Sequence, residues 1–192
     1  MLISRWFGLL VLPPLLVACS AGESNKDPVA EAKFQNEKRI GEADVTEKQQ
    51  RDAEFVVNAA SRGMLLLEIS QIALRKASSP AVKTLARTMI SQHGSLQQDV
   101  KTLAAQKSIV LPSALGKDQG EQAGELTALN GAAFDSRYLE QLEKLHEQSI
   151  DECDDMSEDA YDGDIRAFAA RRLPLLKQHL EAAEQVQDQL PK

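Results

Sequence analysis

The chain has 192 residues, enough for one domain with attached segments. Hydrophobic residues make up 43% of it and aromatic residues only 4%, which provides a core and favours a helical bundle over a β-sandwich. The formal net charge of −7 argues against binding to nucleic acid and against electrostatic docking on anionic lipid.

Residues 1–18 have the features of a lipoprotein signal peptide. Arg5 and the terminal amine precede an apolar run that has about half of the roughly 20 residues needed to span a membrane. The sequence Leu16-Val17-Ala18-Cys19 resembles the bacterial lipobox, in which the cysteine is lipidated and becomes the mature N-terminus. Because Ser20 follows instead of aspartate, resemblance to sorted lipoproteins predicts an anchor in the outer membrane, facing the periplasm.

Residues 19–50 are polar and mixed in charge, with few large apolar side chains. The composition predicts that the segment after the lipidated cysteine is a flexible tether that holds the domain off the membrane. Scattered apolar residues allow a transient helix within it: Ala30, Phe34 and Ile40. The first stable helix begins either at Thr46, which starts a capping-box spacing, or at Asp52.

Helical periodicity predicts four long helices in residues 51–190, at about Asp52–Lys76, Pro80–Lys107, Ala133–Asp155 and Asp164–Leu190. Ser79 and Pro80 cap and start the second helix, so the first two form an antiparallel hairpin. Pro174 predicts a kink or a break in the fourth helix.

The connection between the second and third long helices is longer than a tight turn needs, and a short helix is predicted within it at about Gln119–Leu129. Such a segment can carry the chain along the bundle, as the single crossover of ferritin-like folds does. The predicted fold is therefore all-α: a ferritin-like four-helix bundle with a long connection carrying a short helix between the second and third long helices.

The three histidines of the chain each fall on the inward face of a different predicted helix, near its middle. At about 1.5 Å per residue, His93, His146 and His179 lie within about a turn of one level, and Glu68 of the first helix shares that level. Neutral imidazoles with one carboxylate suit zinc, copper or iron. One interpretation is therefore a transition-metal site built from these four residues.

A second interpretation is a structural polar layer that fixes helix register. In it the imidazoles bond to one another, to Glu68 or to other nearby polar groups, with Asp135, Tyr138 and Glu143 as candidate supporting residues. Glu143 and His146 form one Glu-x-x-His, whereas a ferritin-like di-iron centre needs two such pairs and two further glutamates. A di-iron oxidase is therefore disfavoured.

No residues are predicted to be catalytic, because the sequence has neither a Ser-His-Asp or Cys-His set nor a Gly-rich phosphate loop. If Cys19 carries lipid, Cys153 has no partner within the chain. It shares a helix face with His146, which favours a buried thiol, although an intermolecular disulfide or a metal thiolate stays open.

Several of these residues recur in order in a known bacterial family. They are Asp52-x-x-Phe55 with Ala59-Ala60 and Glu68, Met89-x-x-x-His93, Phe134-Asp135-x-x-Tyr138-Leu139, His146, and Leu173-Pro174-Leu175 followed by His179-Leu180. Over about Asp52–Leu190 the chain resembles the family catalogued as domain of unknown function 4142. The resemblance implies a ferritin-like bundle, often exported and labelled an outer-membrane protein, with no established reaction. Gln92 stands where an acid is expected, which weakens a carboxylate–histidine pair there.

Two functions follow from these features. The first is a non-enzymatic envelope or stress-related protein that binds an envelope partner, suggested by the lipid anchor, the tether and the absence of a catalytic set. The alternative is a periplasmic metal-binding protein with a core histidine and glutamate site. The sequence leaves open the metal, the partner and the oligomeric state.

Overall fold

The computed structural model describes residues 26–41 and 47–191. The predicted signal peptide, the lipidated Cys19 and the Thr46 capping residue lie outside these ranges. The described residues form six helices: α1 Pro28–Gly41, α2 Glu47–Lys76, α3 Pro80–Gln106, α4 Lys117–Ala128, α5 Gly131–Asp159 and α6 Gly163–Asp188. None of these helices combines the length and apolar character needed to cross a bilayer.

The four long helices form a closed ring, in which α2 packs on α3 and α5, and α6 packs on α5 and α3. Ser79 caps α3 by accepting a hydrogen bond from the Val82 N–H, as its position before Pro80 predicts. Helix α6 continues through Pro174, so the predicted break does not occur. The all-α bundle predicted from the sequence is confirmed.

Two buried aspartates join the ends of the bundle and define its topology. Asp52, near the start of α2, accepts hydrogen bonds from the backbone N–H groups of Tyr161 and Asp162, between α5 and α6. Asp135, near the start of α5, accepts from Ser78 at the turn between α2 and α3. Helices α2 and α5 are therefore antiparallel, α3 and α5 are parallel, and the connection carrying α4 crosses the length of the bundle. This is the ferritin-like crossover that the length of the connection predicts.

Helix α1 differs from the predicted flexible tether. It packs on α2, and its Asn36 exchanges two hydrogen bonds with the backbone of Val110 in the crossover. Asp27 caps α1 and also accepts from the Lys117 N–H at the start of α4. These are polar contacts between distant segments, so the low apolar content of α1 does not reveal that the helix is docked.

The apolar core consists of two clusters along the bundle axis. One contains Met89 of α3, Leu145 of α5 and Ala183 of α6, and the other contains Val100, Cys153 and Leu176 of the same three helices. On each helix a histidine falls between the two clusters. The histidines therefore form a polar layer across the middle of the core.

Candidate metal centre

The polar layer consists of His93 on α3, His146 on α5 and His179 on α6, which are 1%, 0% and 2% exposed. Each occupies a position in its helix that an apolar residue would normally fill, so each ring points into the core. The ring centroids are 4.9–5.3 Å apart. Three imidazoles from three helices therefore meet at one point.

The ring nitrogens converge more closely than the ring centres. His93 Nε2 lies 3.1 Å from His146 Nε2, which lies 3.3 Å from His179 Nδ1. One nitrogen from each ring lies within 4.8 Å of the others. A metal ion bonded to each nitrogen at about 2.0–2.1 Å separates them by roughly 3.3–3.6 Å, so small movements would bring the three nitrogens to that spacing.

In two of the rings, the nitrogen that faces away from the cluster makes a hydrogen bond, here called an outer hydrogen bond, that fixes the position of the ring proton. His146 Nδ1 donates to the Leu142 carbonyl at 2.7 Å, and His179 Nε2 donates to Gln92 Oε1. The remaining nitrogens, His146 Nε2 and His179 Nδ1, therefore face each other with lone pairs. Lone pairs at this distance repel unless a proton or a cation lies between them. Histidine ligands of metal ions are held by outer hydrogen bonds of the same kind.

His93 is the one ring whose proton is not fixed in this way. Its Nδ1 is buried and has no hydrogen-bond partner among the described residues. With the proton on Nε2, His93 donates to His146; with the proton on Nδ1, three lone pairs converge. The layer can thus exist in two proton arrangements, of which only the second offers three metal ligands.

Burial keeps all three rings neutral at pH 7. It lowers the pKa of His93 well below its usual range and that of His146 to about 4. Burial and the neighbouring His146 lower the pKa of His179 to about 4. Neutral imidazole is the form that binds metal, so no proton has to be displaced from a charged ring.

Glu68 does not join the cluster. Among the described residues, the group of potential ligand atoms contains the three histidines and no carboxylate. Helix α2 presents Gly63 and Leu66 beside His93, whereas Glu68 is half-buried and lies farther along the helix. Gly63 also leaves room for Gln97, because a Cβ there would lie 2.6 Å from the Gln97 Oε1 atom. The donor set is therefore three nitrogens.

The three candidate supporting residues lie elsewhere. Asp135 is 11 residues before His146, about 16 Å along α5, and caps the turn before α3. Tyr138 is buried and bonds to Ser70 at 3.1 Å. Glu143 lies among other carboxylates of α5 and α6, and partial burial and those charges raise its pKa. The outer partners of the histidines are instead Leu142 and Gln92.

Gln92 occupies the position on α3 where an acid is expected, and its side chain contacts a histidine on a different helix. It is bonded to His179 of α6 and not to its neighbour His93 on α3. The sequence pattern identifies Gln92 as a departure from the family and cannot identify this partner. Cys153 is free and buried about two helical turns beyond His146 on α5, outside the ligand group.

Fold and site together define a ferritin-like helical bundle with a buried cluster of three histidines. Residues 38–186 match the model of the family described as "Domain of unknown function (DUF4142)", and the chain belongs to that family. A search of curated protein sequences found no match to the chain.

Solved structures with the same fold include CopM in its Cu(II)-bound form, with a TM-score of 0.60, 17% identity, and coverage of 71% of this chain and 95% of that one. CopM in its Cu(I)-bound form has a TM-score of 0.58 at 20% identity and the same coverage. A conserved hypothetical protein, rv2844, from Mycobacterium tuberculosis has a TM-score of 0.55 at 15% identity and covers 76% of this chain and 96% of its own. At these identities the likeness concerns the fold.

Proposed function

We propose that this protein is a non-enzymatic metal-binding protein that holds a copper ion between His93, His146 and His179. The observation that carries the proposal is the convergence of three neutral ring nitrogens, two of which have their lone pairs directed inward by outer hydrogen bonds. An ion at this point would replace lone-pair repulsion with three bonds.

Copper is favoured by the donor set and by the fold. Imidazole nitrogen binds copper, zinc, iron and nickel, and divalent copper forms the most stable complexes of the first transition series. Solved structures with this fold include Cu(II)-bound, Cu(I)-bound and Ag-bound forms of CopM. A site with no carboxylate in its ligand group also departs from the di-iron pattern.

Equilibrium titration of the purified protein, without an added histidine tag, tests this proposal. We expect one copper ion per chain, with binding weakened at least tenfold in each of His93→Ala, His146→Ala and His179→Ala. Glu68→Ala is the matched control and keeps the affinity, because Glu68 lies outside the cluster. Copper binding that is unchanged in all three histidine variants would overturn the proposal, and stronger binding of zinc would reassign the metal.

We further propose that the protein acts at the periplasmic face of the outer membrane, anchored through lipid on Cys19. The support is the sequence Leu16-Val17-Ala18-Cys19 and the serine that follows it. Labelling of cells with a tagged fatty acid should mark the protein and fail to mark Cys19→Ser. Equal labelling of both would contradict the anchor. Binding of an envelope partner, which the sequence suggests, stays a prediction.

A further inference from the structure

A small cavity of about 10 Å³ lies on the side of His93 that faces α2 and α5. Its wall includes three charged side chains, namely Arg62, Glu152 and Arg172, together with His93. A volume of this size is at the lower limit for one water molecule and excludes polyatomic ions such as sulfate, so a larger single-atom ion fits only if the long Arg62, Glu152 and Arg172 side chains move outward.

Four buried nitrogen atoms of the residues around this cavity have no hydrogen-bond partner in the described part of the chain. They are His93 Nδ1, Arg62 Nε, and Arg172 Nε and Nη1. Arg172 is 7% exposed and His93 is 1% exposed. All three side chains can donate, so a ligand bound at this wall would have to accept hydrogen bonds.

The charges around the cavity do not balance. Arg62 is paired with Glu152, whereas Arg172 has no ion-pair partner among the described residues. The guanidinium of Arg172 lies 4.9 Å from the centre of the Phe168 ring, and a cation–π contact offsets only part of the cost of burying a charge. The exposed Asp99 acts on Arg172 from a distance, but no carboxylate of the described residues lies within ion-pairing distance of it.

We propose that the cavity is a binding site for a single-atom inorganic anion, with chloride as the physiological occupant, held by Arg172, Arg62 and the Nδ1–H of His93. Chloride accepts several hydrogen bonds from different directions and neutralises Arg172. A water molecule would accept the same bonds and leave the charge uncompensated.

The anion also completes the metal centre, and this step rests on the proposed function. His146 and His179 each donate their outer N–H to a protein oxygen, and His93 is the histidine without such an acceptor. An anion in the cavity holds the proton of His93 on Nδ1 and leaves Nε2 free for the metal. It also screens the metal from the charge of Arg172. Anion and metal therefore bind with positive coupling.

The first test uses the metal-free protein and the line width of the chloride-35 nuclear magnetic resonance. We expect saturable broadening with the purified protein and its loss in Arg172→Met, a change that keeps side-chain length and removes the charge. Arg171→Met is the matched control, because it makes the same change at an exposed neighbour on α6. Broadening that is absent, or equal in both variants, would overturn the anion site.

If Arg172→Met folds poorly, thermal unfolding of the wild-type protein tests the inference instead. Replacing gluconate by chloride at constant ionic strength should raise the unfolding temperature of the wild-type protein, because only the small anion enters the cavity. An identical unfolding temperature in both salts means that the cavity holds water only, which would contradict the proposal.

The coupling is measured with zinc as the probe ion, because chloride binds monovalent copper in solution. We expect chloride to tighten zinc binding by roughly 5- to 150-fold in the wild-type protein and to have no effect in Arg172→Met. Chloride binding to metal-free protein that takes up no metal would leave the anion site standing and overturn the proposed function. Metal binding without chloride binding would do the reverse.

Discussion

The Nε2 atoms of His93 and His146 lie 3.1 Å apart although the residues are on different helices and 53 positions apart in sequence. Both rings are buried, and His146 already donates its other N–H to the Leu142 carbonyl. Its Nε2 therefore carries a lone pair that either accepts a hydrogen bond from His93 or binds a metal ion. Which of the two occupies this point decides whether the layer is structural or functional.

The bond between Gln92 and His179 predicts a role for the amide in metal affinity. Gln92→Ala removes the acceptor that directs the Nδ1 lone pair of His179 toward the centre. We expect copper affinity to fall about 10- to 100-fold, the usual effect of losing an outer partner, with the helical signal unchanged. Competition titration measures the effect. Gln98→Ala, at an exposed position on the same helix, should leave affinity unchanged.

Acid should destabilise the metal-free protein between about pH 6.5 and pH 4. The pKa of His146 is about 4 in the fold, below the ordinary histidine value of about 6.5, so in this interval the unfolded chain binds the proton that the folded one excludes. Stability is complete above the upper limit and falls as the pH drops toward the lower one.

For His146 alone the loss between pH 6.5 and pH 5 is about 2 kcal/mol of unfolding free energy. Urea denaturation at the two pH values measures it. His146→Gln should remove this loss, because glutamine does not titrate. If the variant loses as much unfolding free energy between the two pH values as the wild-type protein, other groups cause the acid sensitivity.

The sequence predicts the histidine layer more fully than its surroundings. The seam positions of His93, His146 and His179 follow from helical spacing alone, and the structure brings these residues together. Glu68 is half-buried and lies farther along α2 than Gly63 and Leu66, which flank His93, and a displacement of that size is below the resolution of a periodicity argument. The metal itself stays a prediction.

Two further features of the structure could not be predicted from the periodicity of the sequence. Arg172 lies seven residues before His179 and so shares its inward face, a signal present in the sequence, but its contact with the cavity beside His93 depends on the packing of three helices. Helix α1 docks through the side chains of Asn36 and Asp27, each bonded to the backbone of the crossover region. Polar contacts between distant segments produce no repeating pattern in the sequence, so they cannot be recognised from it.

The Asp135 carboxylate should contribute to stability and not to metal binding. It is 1% exposed and accepts three hydrogen bonds from Ser78 and Ser79, so Asp135→Ala removes the acceptor that joins α5 to the turn before α3. We expect a loss of about 2–4 kcal/mol in the free energy of unfolding, measured in urea, with copper stoichiometry unchanged. The exposed substitution Glu140→Ala should cost less than about 0.5 kcal/mol. Loss of copper from a folded Asp135→Ala protein would contradict the separation of roles.

Cys153 should behave as an inert core thiol. It is 3% exposed, and burial raises its pKa to about 11, so almost no reactive thiolate exists near neutral pH. Iodoacetamide at pH 8 should label it slowly in the native protein and rapidly in urea, as read by mass spectrometry. Rapid native labelling would instead favour an accessible thiol suited to an intermolecular disulfide.

The most direct test of the metal centre is anomalous diffraction at the copper edge from crystals of the untagged protein grown with copper. We predict one peak per chain, within bonding distance of His93 Nε2, His146 Nε2 and His179 Nδ1. A copper peak elsewhere, or a histidine layer without a peak in a crystal that holds copper, would show that the layer is structural.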